Sequence, residues 1–273
     1  MFEGFTRHRI ETSQSTTINL LTAGTGEGLL LLHGCPETLV MWHEIAPAFA
    51  DDFAVVASDL RGYGDSSKPR GASDHGTYSF RAMARDQVEV MKVLGHDRFV
   101  VVGHDRGARV VHRMALDHPG AVRKAAVLDI LPTLTLYEET DAHFARAYWE
   151  WFFFIQGYDF PETLIGAAPE KFLRYELGPL VDGGVIAQKR GTSICAESAI
   201  APRSMRCART IGRARRSIWS TTAATSTGRS PAPCSSSGAG RTRSGSASTC
   251  STLGGNGRCL CAAYVAVCSL AAS

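Results

Sequence analysis

No stretch of eighteen apolar residues occurs in the 273-residue chain, so no membrane-spanning helix and no membrane partner is expected. The amino-terminal segment MFEGFTRHRIETSQ lacks the apolar centre of a secretory signal, which makes a cytoplasmic location the expectation. Histidine stops at His143, although nine are present. From residue 191 to the end there is no lysine and a single acid, Glu197, against ten arginines. Cysteine is scarce before that point: Cys35 stands alone, and the other seven lie at or after Cys195. The late cysteines fit no zinc-ligand spacing and have no histidine to join them. No metal and no cofactor is therefore expected. A basic tail for nucleic acid is the literal reading of the late arginines, but the Ser, Gly and Thr around them argue for another origin, and no nucleic-acid partner is expected.

These absences divide the chain. Residues 1–190 hold a balanced mixture with more acid than base, and residues 191–273 have a different composition joined to it. The length suits one large domain with a full core, or one carrying a lid.

The first part alternates strand-like and helix-like text. GLLLLHG (Gly28–Gly34), FAVVASDL (Phe53–Leu60), FVVVGHD and AAVLDI (Ala125–Ile130) read as buried strands. RAMARDQVEVMKVLG (Arg81–Gly95) reads as a helix stopped by Gly95, and RGARVVHRMALDHP reads as a second helix. Such alternation predicts an α/β fold with a largely parallel sheet covered on both faces. Chemistry in these sheets lies beyond the carboxyl ends of the strands, where His33-Gly34, Asp105 and Asp129 fall. Gly103-His104-Asp105-Arg106-Gly107 has the form G-x-nucleophile-x-G: a tight strand-to-helix turn that lifts its central side chain above the sheet. The N–H of Arg106 opens the helix there, and the N–H of Cys35, after an earlier strand, is the expected second donor. A carboxylate in this turn suits attack on carbon to give an ester. The alternative is that Asp105 merely caps a helix.

Taken together, HGCPETLVMWHEIAP, DLRGYGDSSKP, YSFRAMARDQVEVM, VVGHDRGARVVHRMALDHP, AVLDILPT and ARAYWEWFFF resemble the haloacetate dehalogenases of the α/β-hydrolase fold, over about residues 3–185. GHDRGARVVHR is the most specific of these, since related epoxide hydrolases usually carry an aromatic residue after the nucleophile. The resemblance implies that Asp105 attacks the α-carbon of a small 2-halo acid and that Arg106 and Arg109 hold the substrate carboxylate. It implies that Asp129 orients a catalytic histidine and that Trp151 contacts the halide. Arg109 lies one helical turn after Asp105, so both can face one cavity. His104 and Cys35 join the expected substrate-binding set. The family places a lid after the strand ending at Asp129, giving an expected core of residues 1–135, the start of a helical lid at 136–190, and the atypical tail at 191–273. Where the family has a histidine donor to the halide, this chain has Glu150, and an ionised carboxylate there repels a leaving anion.

The fold expected is therefore an α/β hydrolase with a helical lid, incomplete for want of its last strands and its Gly-His-Phe segment. The Ser- and Arg-rich tail cannot bury enough apolar surface to offset its ordering entropy and is expected to be disordered. MRCARTIGRARRSIWS (Met205–Ser220) can be encoded by DNA that, one frame over, spells AMCEDYRAGASIDLE, which resembles the family's missing half. Two later stretches behave alike in the same frame. A frameshift upstream of about residue 195, by sequencing error or pseudogene decay, is the reading adopted. The functions in competition are dehalogenation, epoxide hydrolysis, a catalytically dead binding module, and no function at all; a homodimer is left open.

Overall fold

The computed structural model describes residues 1–71, 76–157, 159–183 and 265–269. The tail call for residues 191–273 lies outside the described residues except for that last short segment.

A seven-stranded sheet, in the order β1-β2-β4-β3-β5-β6-β7, organises the chain. β1 (Thr6–Glu11) and β2 (Thr17–Ala23) form an antiparallel hairpin whose second strand pairs antiparallel with β4 (Phe53–Ser58). β3 (Glu27–Leu32) runs parallel to β4 on one side and to β5 (Phe99–His104) on the other, and β5 runs parallel to β6 (Val122–Leu128). The chain thus leaves β3 in one direction to make β4 and later returns to its other side to make β5. That reversal opens a crevice at the carboxyl ends of β3 and β5, the usual place for a ligand in such sheets.

The apolar run of β3 is continuous because both faces are covered. Leu30 and Leu32 enter one core cluster with Val56, Met83, Met91, Val110, Val111 and Met114. Leu29 and Leu31 enter the opposite cluster with Trp42, Ala46, Val55 and Ala57, as the twofold alternation of a strand requires. The first cluster is closed by α2 (Phe80–Val93) and α3 (Arg106–Asp117), the second by α1 (Ala46–Phe49). Ser79 caps α2 by accepting from the Ala82 N–H, and Gly95, at φ +87°, ends the run after it.

Beyond β6 come the short helices α4 (Thr133–Glu138), α5 (Ala142–Ala147), α6 (Trp149–Phe154) and α7 (Phe160–Ala167), then α8 (Pro169–Asp182). They have their own aromatic cluster around Leu136, Trp151, Phe154 and Ile165.

The tail, expected to be disordered, contributes one strand: β7 (Val265–Ser269) pairs antiparallel with the outer edge of β6, from Lys124↔Ser269 to Leu128↔Val265. VAVCS is a short apolar run inside an otherwise polar tail, and backbone ladder bonds need little more from a strand.

Candidate functional site

Asp105 sits between β5 and α3 with φ +43° and ψ −109°. This is a strained conformation for a residue with a Cβ, and such strain gathers at working sites. Asp105 stands at the N-cap of α3, yet its side chain makes no capping hydrogen bond. The helix-cap alternative therefore fails. Instead Oδ2 accepts the Cys35 N–H at 2.8 Å. The two flanking glycines are required sterically. A Cβ on Gly103 would stand 2.5 Å from the Gly107 carbonyl, and one on Gly107 would stand 2.3 Å from the Leu32 carbonyl oxygen. Gly34 is equally confined, because a Cβ there would lie 2.8 Å from the Asp105 Cβ.

Arg106 and Arg109 are buried, with 3% and 4% of their surface exposed. Arg109 donates through Nη1 to Leu131 O at 3.1 Å and to Thr133 Oγ1 at 2.8 Å, and its guanidinium lies 4.0 Å from the centroid of Trp151. Burial lowers its pKa to about 10, against the opposing pull of Asp105, so it stays charged at neutral pH. Arg106 lies 6.0 Å from the ring centroid of Phe154. Among the described residues, Arg106 Nη1 and Arg109 Nε are buried without a hydrogen-bond partner. Orphaned charged donors are costly to bury and mark a place for an acceptor.

Asp129 follows β6 at φ +60° and is half-exposed. No late histidine meets it in the described residues; His104 does, with Nε2 3.9 Å from Oδ2. The other nitrogen of His104 lies 3.0 Å from Glu37 Oε2, which also accepts the Gly34 N–H at 2.9 Å. Burial opposes the charge on His104, but Glu37, Asp105 and Asp129 together outweigh it and raise its pKa. For Glu37, burial is likewise outweighed, and His104 holds the carboxyl below its usual range. Glu37 was not singled out from sequence, although its place three residues after the Gly34 turn is a local signal. His33 is spent on structure: its Nδ1 lies 2.7 Å from Gly34 O, and Nε2 accepts the Leu60 N–H at 3.0 Å.

A cavity of about 310 Å³ lies between the loop after β3, the loop after β4 and the lid. Its wall includes Cys35, Glu37, Tyr63, Phe154, Phe172 and Glu176. Asp105 lies one hydrogen bond behind that wall, through Cys35. Glu176 came from no sequence motif; only the packing of α8 brings it here. Burial, then the charges of Glu176 and Asp105, push the Glu150 carboxyl up to about 7. Burial and Asp105 push Glu176 up to about 7 as well. The expectation of a fixed negative charge at Glu150 is thus replaced by a carboxyl that titrates near neutrality.

That shift has a consequence for stability. An unfolded chain releases these two protons near the ordinary value of 4.5. Between there and about 7 the folded chain holds more protons, so stability declines as pH rises through this window. Thermal melting is expected to drop from about pH 5 to about pH 8, less steeply in Glu176→Gln. An unchanged slope in that variant would count against the coupling.

Among the described residues no group of His, Cys, Asp and Glu could hold a metal ion, and no helix is long and apolar enough to cross a membrane.

The family profile of the alpha/beta hydrolase fold matches residues 28–237. A fluoroacetate dehalogenase from Burkholderia sp. is 56% identical over 172 residues, 63% of this chain and 56% of the relative. A soluble epoxide hydrolase from Corynebacterium sp. (strain C12) is 41% identical over 117 residues, 43% of this chain and 39% of the relative. The chain thus spans about half the length of these curated relatives, or less. Among solved structures, a Nostoc sp. PCC 7120 protein assigned to the α/β hydrolases superposes with TM-score 0.71 at 48% identity, covering 80% of this chain and 77% of that one.

Proposed function

Because the chain belongs to the α/β-hydrolase fold family, we propose that it displaces halide from a small 2-halo acid, with Asp105 as nucleophile. The observation that carries this reading is the pair of buried guanidinium groups, each with an unpaired N–H, beside a strained carboxylate. The similarity to a fluoroacetate dehalogenase supports it. Arg106 Nη1 and Arg109 Nε take the substrate carboxylate, guanidinium being matched to that shape. The Cys35 N–H fixes Oδ2, and Oδ1 forms the bond to the α-carbon. The carbon–halogen bond breaks with its electron pair passing to halide, and an ester of Asp105 remains. Trp151 is the proposed halide contact; by stacking on Arg109 it also fixes that anchor. Water must then cleave the ester, and this step needs a base.

Epoxide hydrolysis is the second reading, favoured by the epoxide hydrolase relative. It requires a proton donor for the oxirane oxygen, and two cationic anchors suit an anionic substrate better than the neutral epoxides.

The deciding measurement sets halide release from fluoroacetate and chloroacetate against diol formation from styrene oxide. Arg106→Met should raise the chloroacetate concentration for half-maximal rate of the halide burst by about tenfold or more, the value of one charge-assisted hydrogen bond. Diol without halide, or an unmoved half-saturation in that variant, would overturn the reading.

A further inference from the structure

The displacement scheme leaves most of the cavity unused. Its volume of about 310 Å³ reaches the lower end of the range for pockets that take a whole ligand, about 300–1,000 Å³. A haloacetate carries only hydrogen on its α-carbon beside the halogen and the carboxylate, so it has no group to place there. One end of the cavity adjoins the nucleophile turn. Cys35 and Phe154 are both on its wall. The Cys35 N–H meets Asp105 Oδ2 at 2.8 Å, and the Phe154 ring centroid lies 6.0 Å from the Arg106 guanidinium. An acid held by Arg106 therefore has both wall residues as neighbours. The wall continues through Leu39 and Val40, after β3, and through Ile165 and Leu173 of the lid. The other end is at the surface: Arg7 and Asp65 line it, pair at 2.8 Å, and have 57% and 61% of their side chains exposed.

The charged groups of the wall are engaged with one another or with the backbone. Asp59 accepts from the Leu39 N–H and from Asn19 Nδ2, each at 2.8 Å, and from the Asp65 N–H at 3.0 Å. Glu37 accepts the Gly34 N–H and pairs with His104 Nδ1. Lys68 donates to the carbonyls of Gly64 and Ser66. Burial favours the neutral form of Glu176. What remains to meet a ligand is mainly aliphatic and aromatic surface, and such a wall selects an apolar group.

Resting on the displacement scheme above, we propose that the preferred substrates are 2-halo acids with a straight alkyl chain on the α-carbon, and that this chain lies in the cavity, running from Cys35 and Phe154 toward Arg7 and Asp65. The bonds made and broken are those of that scheme. An Asp105 oxygen bonds to the α-carbon as the carbon–halogen bond breaks, and the electron pair of that bond leaves with the halide. Leu39, Val40, Ile165 and Leu173 set the length of chain that is accepted. Each methylene laid against them leaves water and tightens binding. Once the chain end reaches solvent at the Arg7–Asp65 pair, further methylenes add nothing. A secondary α-carbon is attacked more slowly than a primary one, so the selection shows in half-saturation and not in the maximal rate.

The test is the halide burst of the full chain with 2-chloropropanoate, 2-chlorobutanoate, 2-chlorohexanoate and 2-chlorooctanoate. The concentration for half-maximal burst rate should fall by about threefold to fourfold per methylene, or about thirtyfold from the propanoate to the hexanoate, before it levels off. Calorimetric titration with propanoate, butanoate and hexanoate, which carry no halogen, should show the same gain in affinity. Two variants narrow the cavity, Val40→Trp at a partly exposed position and Leu173→Phe at a buried one, with folding checked by thermal melting. In each, the ratio of half-saturation between hexanoate and propanoate should collapse toward one. Half-saturation that does not fall along the series in the starting protein overturns the proposal. Retention of the full ratio in both folded variants overturns the placing of the chain in this cavity. Halide from none of the acids, with the calorimetric gain intact, overturns the displacement reading and leaves the cavity as a binding site for alkyl acids. Neither halide nor calorimetric gain overturns both.

Discussion

Mixed with excess chloroacetate, the chain is expected to release about one halide per molecule and then stop, leaving a carboxymethyl ester on Asp105. The first step needs only an ionised nucleophile, an anchored substrate and a departing anion. The second needs a group to take a proton from water, and general-base catalysis of this kind is typically worth about 10²–10⁴ in rate. The sequence carries no histidine after His143. His104 is nearby, but one nitrogen lies 3.0 Å from Glu37 and the other faces Asp129 at 3.9 Å. Burial opposes its charge, but Glu37, Asp105 and Asp129 raise its pKa, which disfavours the neutral ring that would take the proton. Peptide mass spectrometry should locate the adduct, and Asp105→Asn should abolish both halide and adduct. Continued halide release over many turnovers would show that a base has been recruited. We infer that the missing histidine segment was lost to a frameshift, and an uninterrupted reading frame across residues 180–200 of the coding DNA would refute that.

Arg61→Ala is expected to destabilise the fold by about 3–5 kcal/mol, a large share of the usual stability of a domain. The Arg61 and Asp86 side chains are 2% and 1% exposed. Arg61 donates through Nε and Nη2 to the two oxygens of Asp86, each at 2.5 Å, and through Nη1 to Thr77 O at 2.8 Å. The variant strands Asp86 in the core, where burial already pushes its pKa up in spite of Arg61. Only Thr12 Oγ1, at 3.1 Å, would still serve it among the side chains bonded to it here. The half-exposed Arg123, paired with Glu27 at the surface, gives the control: Arg123→Ala should cost less than about 1 kcal/mol. Urea unfolding of the three proteins decides the matter, and equal midpoints for both variants would mean that the buried pair contributes no more than a surface one.

The parts of the site that were legible in the sequence are those whose signal is local. The elbow around Asp105 announces itself by two glycines at fixed offsets, and Arg109 follows by helical spacing. The hairpin β1–β2 was not read, because TRHRIE mixes exposed charges with only a few apolar positions. β6 was read from Ala125, whereas it starts at Val122. Arg123 and Lys124 point outward there and look like loop. Glu37 and Glu176 escaped for different reasons. The first is a single acid in a loop, where no periodicity marks its direction, and the second reaches the cavity only when two lid helices pack. The pKa of Glu150 is likewise a property of that packing and of no local pattern.

The contacts that hold the pocket floor are contiguous in the gene. Cys35 meets Asp105, the Asp105 N–H meets Leu128 O, and Arg109 meets Leu131 and Thr133. All the partners are therefore translated before residue 134. During synthesis the floor can assemble while the rest of the chain is still on the ribosome, as domains generally fold from the amino terminus onward. Under the frameshift proposed above, the codons for Asp105, Arg106 and Arg109 lie upstream of the lesion, so the residues proposed to carry the first chemical step are encoded before it.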